Sequence, residues 1–506
     1  MKKRIGLLVA CIFSVILCLN VIVGCSDAPK EKPQITVSSS APVRIDRKTE
    51  SVDVFDGVTA VDMYGKDITD RITVSCREGG MSVNGAKATF AECGDFTLVY
   101  SVSDDNGEKA TAEKTVSVRD FYSVYLTNAT VPALYGALDM ASNEYPFLFY
   151  NERATDGRPT VDVNVYEERA VDTYGITEDD YNTLVDKFLE LYAEDSYRYF
   201  RIFVSDACNQ RMLRAVFAND IAEERYEVKY VSEGTKSYDV AFPYYDNDTY
   251  ETWQRNVDIY EHMVELAKNK QELSYDGVTL VKYDGDELGA SYLYAASKPN
   301  AEFWGAYPEV LVSKDPRVQA EIEKAHLLKR QPPVMYNALT DAQKGKFLES
   351  VGFDKKDFDT KFFGKSGDYL IITGSKDVMD TLTTEQSLSV LTKIYEDYAG
   401  CNILFKPHPQ YIPNESEYPE IYNFMKSHNI DILPGTLPIE VITWVYGNAR
   451  IGGFDGSLFM SVPQGNTVFF IAEGKDALSA VSQKLYESGL FGEVAFYWPQ
   501  AEEESE

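Results

Sequence analysis

From about residue 121 to residue 472, short apolar runs alternate with segments that carry apolar residues at helical spacing. Residues 369–373 and 402–405 are typical apolar runs, and residues 384–398 form one of the amphipathic segments. Parallel strands need a long crossover between them, usually a helix, so this alternation predicts an α/β fold with largely parallel sheets. The pattern passes through two series, the second beginning at residue 369, and therefore predicts two Rossmann-like lobes.

The periodicity also gives approximate element bounds. In the first series we expect strands at residues 123–126, 201–204, 279–282 and 310–312, and helices at 131–141, 179–193, 209–217, 247–268 and 316–328. In the second series we expect strands at 369–373, 402–405, 430–433, 449–451 and 468–472, and helices at 384–398, 419–427 and 439–446.

Residues 49–118 follow a different pattern, in which apolar and polar residues alternate in short runs. The turn Asp104-Asp105-Asn106-Gly107 separates two such runs and predicts a β-hairpin. Together with residues 65–70 and 93–98, this segment resembles the immunoglobulin-like modules of bacterial surface proteins. The resemblance implies a β-sandwich that acts as a spacer or docking module.

The N-terminus has the features of an export signal. Lys2, Lys3 and Arg4 precede an uncharged apolar run at residues 6–23, and Cys25 follows it directly before a polar stretch. Residues 1–24 resemble a bacterial lipoprotein signal peptide, which implies that Cys25 becomes the lipidated first residue. The alternative is an uncleaved transmembrane anchor. In both cases we expect residues 25–48 to be a tether and the rest to be exported and anchored at the bacterial membrane or cell surface.

Composition limits the classes of partner. The formal net charge of −31 argues against binding to nucleic acid or to anionic lipid headgroups. Cys76 and Cys93 lie in the β-rich segment and could form a disulfide in an oxidising compartment. No spacing of Cys and His residues in the sequence indicates a structural zinc site.

Polar residues follow three strands of the second series. They are Gly374-Ser375-Lys376, Lys406-Pro407-His408-Pro409 and the glycine-rich stretch at residues 452–457. In open α/β sheets ligands bind at the carboxyl ends of the strands, and glycines followed by a helix start supply free amides for a phosphate. Glu440, in the first turn of a predicted helix, could accept hydrogen bonds from a ribose. Together these groups predict a nucleotide site.

Three motifs in this second series carry a family resemblance. They are Lys406-Pro407-His408-Pro409, the stretch Leu433-Pro434-Gly435-Thr436-Leu437-Pro438-Ile439-Glu440-Val441 and the stretch Gly452-Gly453-Phe454-Asp455-Gly456-Ser457-Leu458. On these motifs, residues 122–500 resemble the bacterial sialyltransferases of glycosyltransferase family 80. The resemblance implies a GT-B fold with an acceptor lobe at residues 121–365 and a nucleotide-donor lobe at 366–490. Residues 491–506 would return to the first lobe and end in an acidic tail.

The resemblance also implies an activity: inverting transfer of a sialic (nonulosonic) acid from a CMP-sugar to a glycan hydroxyl, without a metal or other cofactor. His408 would bind the donor phosphate and assist the departure of CMP, and Glu440 would hold the ribose. The other donor-binding residues would be Gly374, Ser375, Lys406, Pro409, Gly456 and Ser457. The sequence Asp284-Gly285-Asp286 is similar to the metal-binding motif of another glycosyltransferase class, but we interpret it as a turn.

The family's general base does not carry over. Its aspartate position is occupied by Ser232, whose hydroxyl cannot accept a proton at neutral pH. Glu233 and Asp206 are the carboxylates nearest to that position. Two alternatives to the transferase hypothesis follow. One is a catalytically impaired relative that binds a nucleotide or a glycan at the cell surface, and the other is a transferase of the same fold that uses a different donor.

Overall fold

The structure is a computed structural model. It describes residues 32–38, 43–47, 51–127, 129–151, 154–155, 158–159, 161–166, 168–174, 177–206, 209–275, 278–279, 291–374, 382–408, 411–453, 457–463, 465–470, 474, 476, 478–490 and 494–497. The chain divides into two compact units, Met1–Asp120 and Phe121–Glu506. The predicted signal peptide and the lipidation site at Cys25 lie outside the described residues.

The described part of the first unit is built from β-strands. They are β1 (Gln34–Val37), β2 (Val43–Asp46), β3 (Val52–Asp53), β4 (Val58–Val61), β5 (Thr73–Cys76), β6 (Met81–Asn84), β7 (Lys87–Phe90), β8 (Gly94–Ser103) and the first part of β9 (Lys109–Thr127). β8 and β9 form the predicted hairpin, with Ser103 paired with Lys109. Asp104 Oδ1 fixes the turn by accepting from the backbone N–H groups of Asn106 and Glu108 (both 2.9 Å). Cys76 and Cys93 are both thiols here. The immunoglobulin-like topology remains a prediction.

The second unit begins with a sheet of seven strands in the order β13-β10-β9-β14-β15-β18-β19. Its strands are residues 123–127 of β9, β10 (Phe147–Asn151), β13 (Ala170–Tyr174), β14 (Arg198–Ser205), β15 (Tyr226–Val231), β18 (Ala301–Gly305) and β19 (Leu327–Lys329). Two short antiparallel pairs stand apart, β11 (Ala154–Thr155) with β12 (Arg158–Pro159) and β16 (Ser274–Tyr275) with β17 (Val278–Thr279). The strand order of the seven-stranded sheet reverses between β9 and β14, which is the switch point of a doubly wound fold.

The helices of this first lobe alternate with its strands. They are α1 (Thr130–Ser142), α2 (Glu178–Glu194), α3 (Asn209–Val216), α4 (Thr235–Asp239), α5 (Tyr250–Lys268), α6 (Ser291–Ala295) and α7 (Pro316–Ile322). Three more helices, α8 (Pro332–Ala338), α9 (Asp341–Ser350) and α10 (Lys355–Lys361), lead to the second lobe. Two predictions for this lobe are wrong. Residues 310–312 form no strand, because a 3-10 helix ends there, and α7 stops at Ile322 before the edge strand β19.

The second lobe has a parallel sheet in the order β22-β21-β20-β23-β24. Its strands are β20 (Tyr369–Gly374), β21 (Asn402–Pro407), β22 (Asp431–Ile432), β23 (Arg450–Gly453) and β24 (Thr467–Phe470). The helices are α11 (Thr384–Asp397), α12 (Pro419–Ser427), α13 (Ile439–Val445) and α14 (Ala480–Glu487). The order reverses between β20 and β23, so the carboxyl ends of these two strands form the second switch point.

Charged side chains cross the middle of the first sheet in alternating order. Arg201 on β14 holds Asp139 of α1 through both carboxylate oxygens (2.9 and 3.0 Å) and lies 3.5 Å from Glu227 on β15. Lys229 contacts Glu227 (2.9 Å) and Glu302 on β18 (2.6 Å). Burial raises the pKa of Asp139, but the charge of Arg201 more than offsets this and the net pKa is lowered. These pairs link α1 to β14, and β14 through β15 to β18.

Two apolar clusters join the lobes. One runs from α1 and the first sheet through α8, α9 and α13 to Ile371 and Leu404 of the second sheet. The other is the main core of the first lobe, and it includes Val481 and Leu485 of α14, which packs against α4. The helix α14, which follows the second sheet along the chain, therefore contributes to the core of the first lobe. Within the described residues, no helix has both the length and the apolar character that crossing a bilayer takes.

Candidate active site

The carboxyl ends of β20, β21 and β23 meet at one edge of the second sheet. Gly374 pairs with Pro407 in the register of β20 and β21, and Ile372 pairs with Gly452 of β23. The His408 backbone N–H donates to Gly374 O (2.9 Å), which extends the ladder past the last strand residue. The structure therefore brings together three segments that the sequence predicted for the donor site.

The two glycines at these strand ends are needed for packing. A Cβ on Gly374 would lie 2.4 Å from the Phe405 ring, and a Cβ on Gly453 would lie 1.7 Å from Thr373 Oγ1. Neither position tolerates a side chain without movement of its neighbour. The sequence interpretation attributed such glycines to the approach of a ligand, whereas here the close contact is with the neighbouring strand.

His408 begins the segment that leaves β21 at this edge. It is half-buried, and its ring centroid lies 5.3 Å from that of Tyr411 at an angle of 44°. Tyr411 also donates its backbone N–H to His408 O (3.0 Å), which closes a tight turn. The imidazole thus lies beside an aromatic ring at the carboxyl edge of the second sheet.

Lys406 and Glu440 are both buried, 5% and 7% exposed, and each influences the charge of the other. Lys406 Nζ donates to Pro407 O (2.8 Å) and Gly435 O (3.0 Å). Burial lowers the pKa of Lys406 to about 8, although the Glu440 charge opposes the shift. Burial raises the pKa of Glu440, and Lys406 opposes this. Lys406 therefore fixes the loop before α13 and supplies positive charge near Glu440.

The glycine-rich segment is described in part. Ser457 begins a 3-10 helix, Ser457–Met460, whose backbone follows β23 at the switch point. Ser375, Pro409 and Gly456 lie outside the described residues, as does the side chain of Ser457. This 3-10 helix contacts α4 of the first lobe, so the turn that precedes α4 lies near the donor edge.

That turn contains Ser232, which is only 3% exposed. Its hydroxyl donates to Ser237 Oγ (3.0 Å) and accepts from the backbone N–H of Gly234 (3.1 Å). Gly234 has φ +116°, a conformation that L side chains rarely adopt, so the glycine is required. Ser232 is therefore part of the internal hydrogen bonding of the turn.

Asp206 follows β14 at the first switch point and is 4% exposed. Its Oδ1 accepts from the backbone N–H of Glu233 (3.3 Å), and Ser237 Oγ accepts from the same N–H (2.9 Å). The Asp206 charge also contributes, after burial, to the raised pKa of Tyr292. Glu233 itself is half-buried. The structure thus brings Asp206 beside the turn that carries Ser232 and Glu233.

Sequence reasoning missed several residues that shape the two edges. They are Phe405 and Thr373, which pack against the glycines, Tyr411 beside His408, and Ser237 in the base turn. None of these contacts follows a capping pattern that the sequence could have shown, because capping serines precede a helix whereas Ser237 lies inside α4. Among the described residues, no cluster of His, Cys, Asp and Glu could hold a metal ion, and residues 284–286 lie outside them.

Comparison with solved structures identifies the fold. A 2,6-sialyltransferase from Photobacterium sp. JT-ISH-224, in a ternary complex with the donor product CMP and the acceptor substrate lactose, gives a TM-score of 0.52 at 14% identity, over 91% of this chain and 97% of that chain. An α/β-galactoside α-2,3-sialyltransferase from Photobacterium phosphoreum gives 0.55 at 14% identity, over 75% and 99%. A sialyltransferase from Photobacterium damsela gives 0.53 at 14% identity, over 91% and 99%.

These matches confirm the predicted α/β GT-B fold, the fold of bacterial sialyltransferases. At 14% identity they establish the fold alone. No protein-family model matches the sequence, and no curated protein matches it either.

Proposed function

We propose that this protein is a glycosyltransferase that moves a sialic (nonulosonic) acid from a CMP-sugar to a glycan hydroxyl, with inversion at the anomeric carbon. The observation that carries the proposal is the convergence of His408, Gly374 and the Ser457–Met460 segment at the second switch point, with Glu440 on the helix α13 beside them. The solved structure with CMP and lactose has the same fold, and this supports the choice of donor and acceptor class.

The donor chemistry follows from these groups. Departure of CMP leaves negative charge on its phosphate, which a donor group such as the His408 imidazole and the free amides at the start of residues 457–460 would stabilise. An ionised Glu440 would accept from the ribose hydroxyls. Lys406 would act through Glu440 and the loop before α13, since its ammonium already donates to two carbonyl groups. The proposal requires no metal or cofactor.

Calorimetric titration of CMP tests the donor site. We expect the soluble protein beginning near Asp27 to bind CMP, and His408→Ala to weaken binding at least tenfold, or about 1.4 kcal/mol, because the imidazole would no longer reach the phosphate. His326→Ala is the matched control, since that ring bonds to Ala301 O in the first lobe (2.9 Å). If the parent protein does not bind CMP, the proposed donor is wrong.

The buried, hydrogen-bonded Ser232 favours a second candidate function. If no other group accepts the acceptor proton, the protein would bind a nucleotide or a sialylated glycan without turnover. Release of CMP from CMP-N-acetylneuraminic acid in the presence of lactose separates the two functions. Steady release that depends on lactose supports the transferase, and CMP binding without release supports the binding protein.

We also propose that the protein acts at the bacterial membrane or cell surface, anchored by a lipid on Cys25. The support is the arrangement of basic residues, apolar run and cysteine in residues 2–25. Metabolic labelling with a radioactive fatty acid should mark the wild-type protein in bacterial cells and leave Cys25→Ser unlabelled. Equal labelling of both proteins would contradict the proposal.

A further inference from the structure

We propose that Glu233 is the general base of this protein and that Asp206 is the residue that positions it. The inference rests on the proposed transferase function and concerns the acceptor side of the same site. The Ser232 hydroxyl cannot accept a proton at neutral pH, so the adjacent carboxylate takes the role of the base.

The first step is the accessibility of the three candidates. Ser232 is 3% exposed and Asp206 is 4% exposed, whereas Glu233 is only half-buried. A general base must come within hydrogen-bond reach of the acceptor hydroxyl. Of the two carboxylate residues, Glu233 is therefore the more exposed to solvent.

The second step is the rigidity of the turn. The Glu233 backbone N–H is bonded to Asp206 Oδ1 (3.3 Å) and to Ser237 Oγ (2.9 Å), and Ser232 N donates to Trp304 O (2.9 Å). Gly234 supplies the positive φ that reverses the chain. These bonds fix the main chain on both sides of the Glu233 Cα, so a carboxylate there starts from a defined position.

The third step is the location of the turn. It leads directly into α4, and α4 contacts the 3-10 helix Ser457–Met460 at the donor edge of the second lobe. Asp206 follows β14 and Ser232 follows β15, two adjacent parallel strands whose carboxyl ends face the same side. The turn that carries Glu233 thus lies on the side of the first lobe that faces the Ser457–Met460 segment.

The chemistry balances with these groups alone. As the acceptor oxygen forms its bond to the anomeric carbon, its proton moves to the Glu233 carboxylate. The bond between the anomeric carbon and the phosphate oxygen breaks, and its electron pair leaves with CMP, where His408 stabilises the charge. Asp206 takes no proton in this step and acts through the Glu233 main chain.

The test measures CMP release from CMP-N-acetylneuraminic acid in the presence of lactose, which counts transfer and hydrolysis together, beside CMP affinity by calorimetry. We expect Glu233→Gln to lower kcat at least a hundredfold and to remove the acidic limb of the pH–rate profile, with CMP affinity within twofold of wild type. Glu224→Gln, an exposed glutamate before β15, is the matched control and should change neither quantity.

Asp206 is tested by two variants. Asp206→Ala should lower kcat at least tenfold while keeping the acidic limb and the CMP affinity, because Glu233 is present but no longer fixed. Asp206→Asn should restore most of the rate, since its amide oxygen still accepts from the Glu233 N–H. A merely structural role would not separate these variants in kcat while CMP affinity stayed constant.

Each other outcome is decisive. Glu233→Gln with more than a third of the wild-type rate overturns the base assignment, and Asp206→Asn as slow as Asp206→Ala overturns the positioning role. CMP binding by the wild type without any release overturns both assignments and leaves the donor site in place. Failure of the wild type to bind CMP is a different result, because it overturns the proposed function itself.

Discussion

At the residue scale, Lys406 shows how a side chain predicted to contact a ligand can instead act within the protein. The sequence placed it at the end of a strand beside His408, and the structure keeps it at that edge. The residue, however, is only 5% exposed, and its ammonium is bonded to two carbonyl groups, one of them 29 residues away on the loop before α13. That loop contact depends on tertiary structure, so the strand pattern could not predict it.

The lowered pKa of Lys406 gives a pH-dependent stability. The lysine loses its proton near pH 8 when folded and near 10.5 when unfolded, so the unfolded state binds more protons between these values and stability rises with pH there. The full gain is about 3 kcal/mol. Denaturant unfolding at pH 7, 8, 9 and 10 should show this rise as a difference between wild type and Lys406→Met. If the free energies of unfolding of the two proteins change with pH in parallel, the prediction is wrong.

At the element scale, the ends of β20, β21 and β23 are fixed by contact between strands. The Phe405 ring fills the space that a side chain on Gly374 would occupy. Thr373 Oγ1 fills the corresponding space at Gly453 and donates to Gly452 O (3.2 Å). The loops that carry the candidate donor residues therefore start from closely packed strand ends. Strand–helix periodicity predicted these strands to within two residues, because each is a short apolar run bounded by polar residues.

We expect Gly374→Ala to destabilise the protein by about 1–3 kcal/mol, since its methyl group would overlap the Phe405 ring. Phe405→Leu alone should also destabilise, because it leaves a cavity in the buried core. The double variant should be more stable than the sum of the two losses implies, as the smaller side chain makes room. If the losses in the free energy of unfolding, measured in urea, are strictly additive, the Phe405 ring moves away from the added methyl group without an energetic penalty.

Two strands, β15 and β18, were not predicted from the sequence, and the reason is physical. β15 and β18 carry Glu227, Lys229 and Glu302 in the middle of the sheet, where a buried parallel strand usually reads as a continuous apolar run. These charged side chains pair with residues on neighbouring strands, and Glu227 also contacts Arg201 on β14. Such pairs become visible only once the strands are assembled. The same holds for the turn at Ser232, whose fixed geometry depends on Asp206 from the preceding strand.

At the scale of the whole molecule, both lobes contribute to each other's interior. The cluster through α1, α8, α9 and α13 includes residues of both sheets, and α13 carries Glu440. The candidate donor site is thus built on a helix that packs on the first lobe as well as on its own sheet. The sequence predicted two lobes and the order of the motifs, but not this shared core, because contacts between distant segments leave no periodic signal.

The position of α14 has a consequence for biosynthesis. Val481 and Leu485 belong to the core of the first lobe, although more than a hundred residues of the second lobe are synthesised before them. A ribosome that has produced only the first lobe has therefore produced a domain with an open apolar face. The nascent chain cannot cover that face with α14 until α14 has been synthesised, so we expect the first lobe to complete its core only after most of the second lobe has been made.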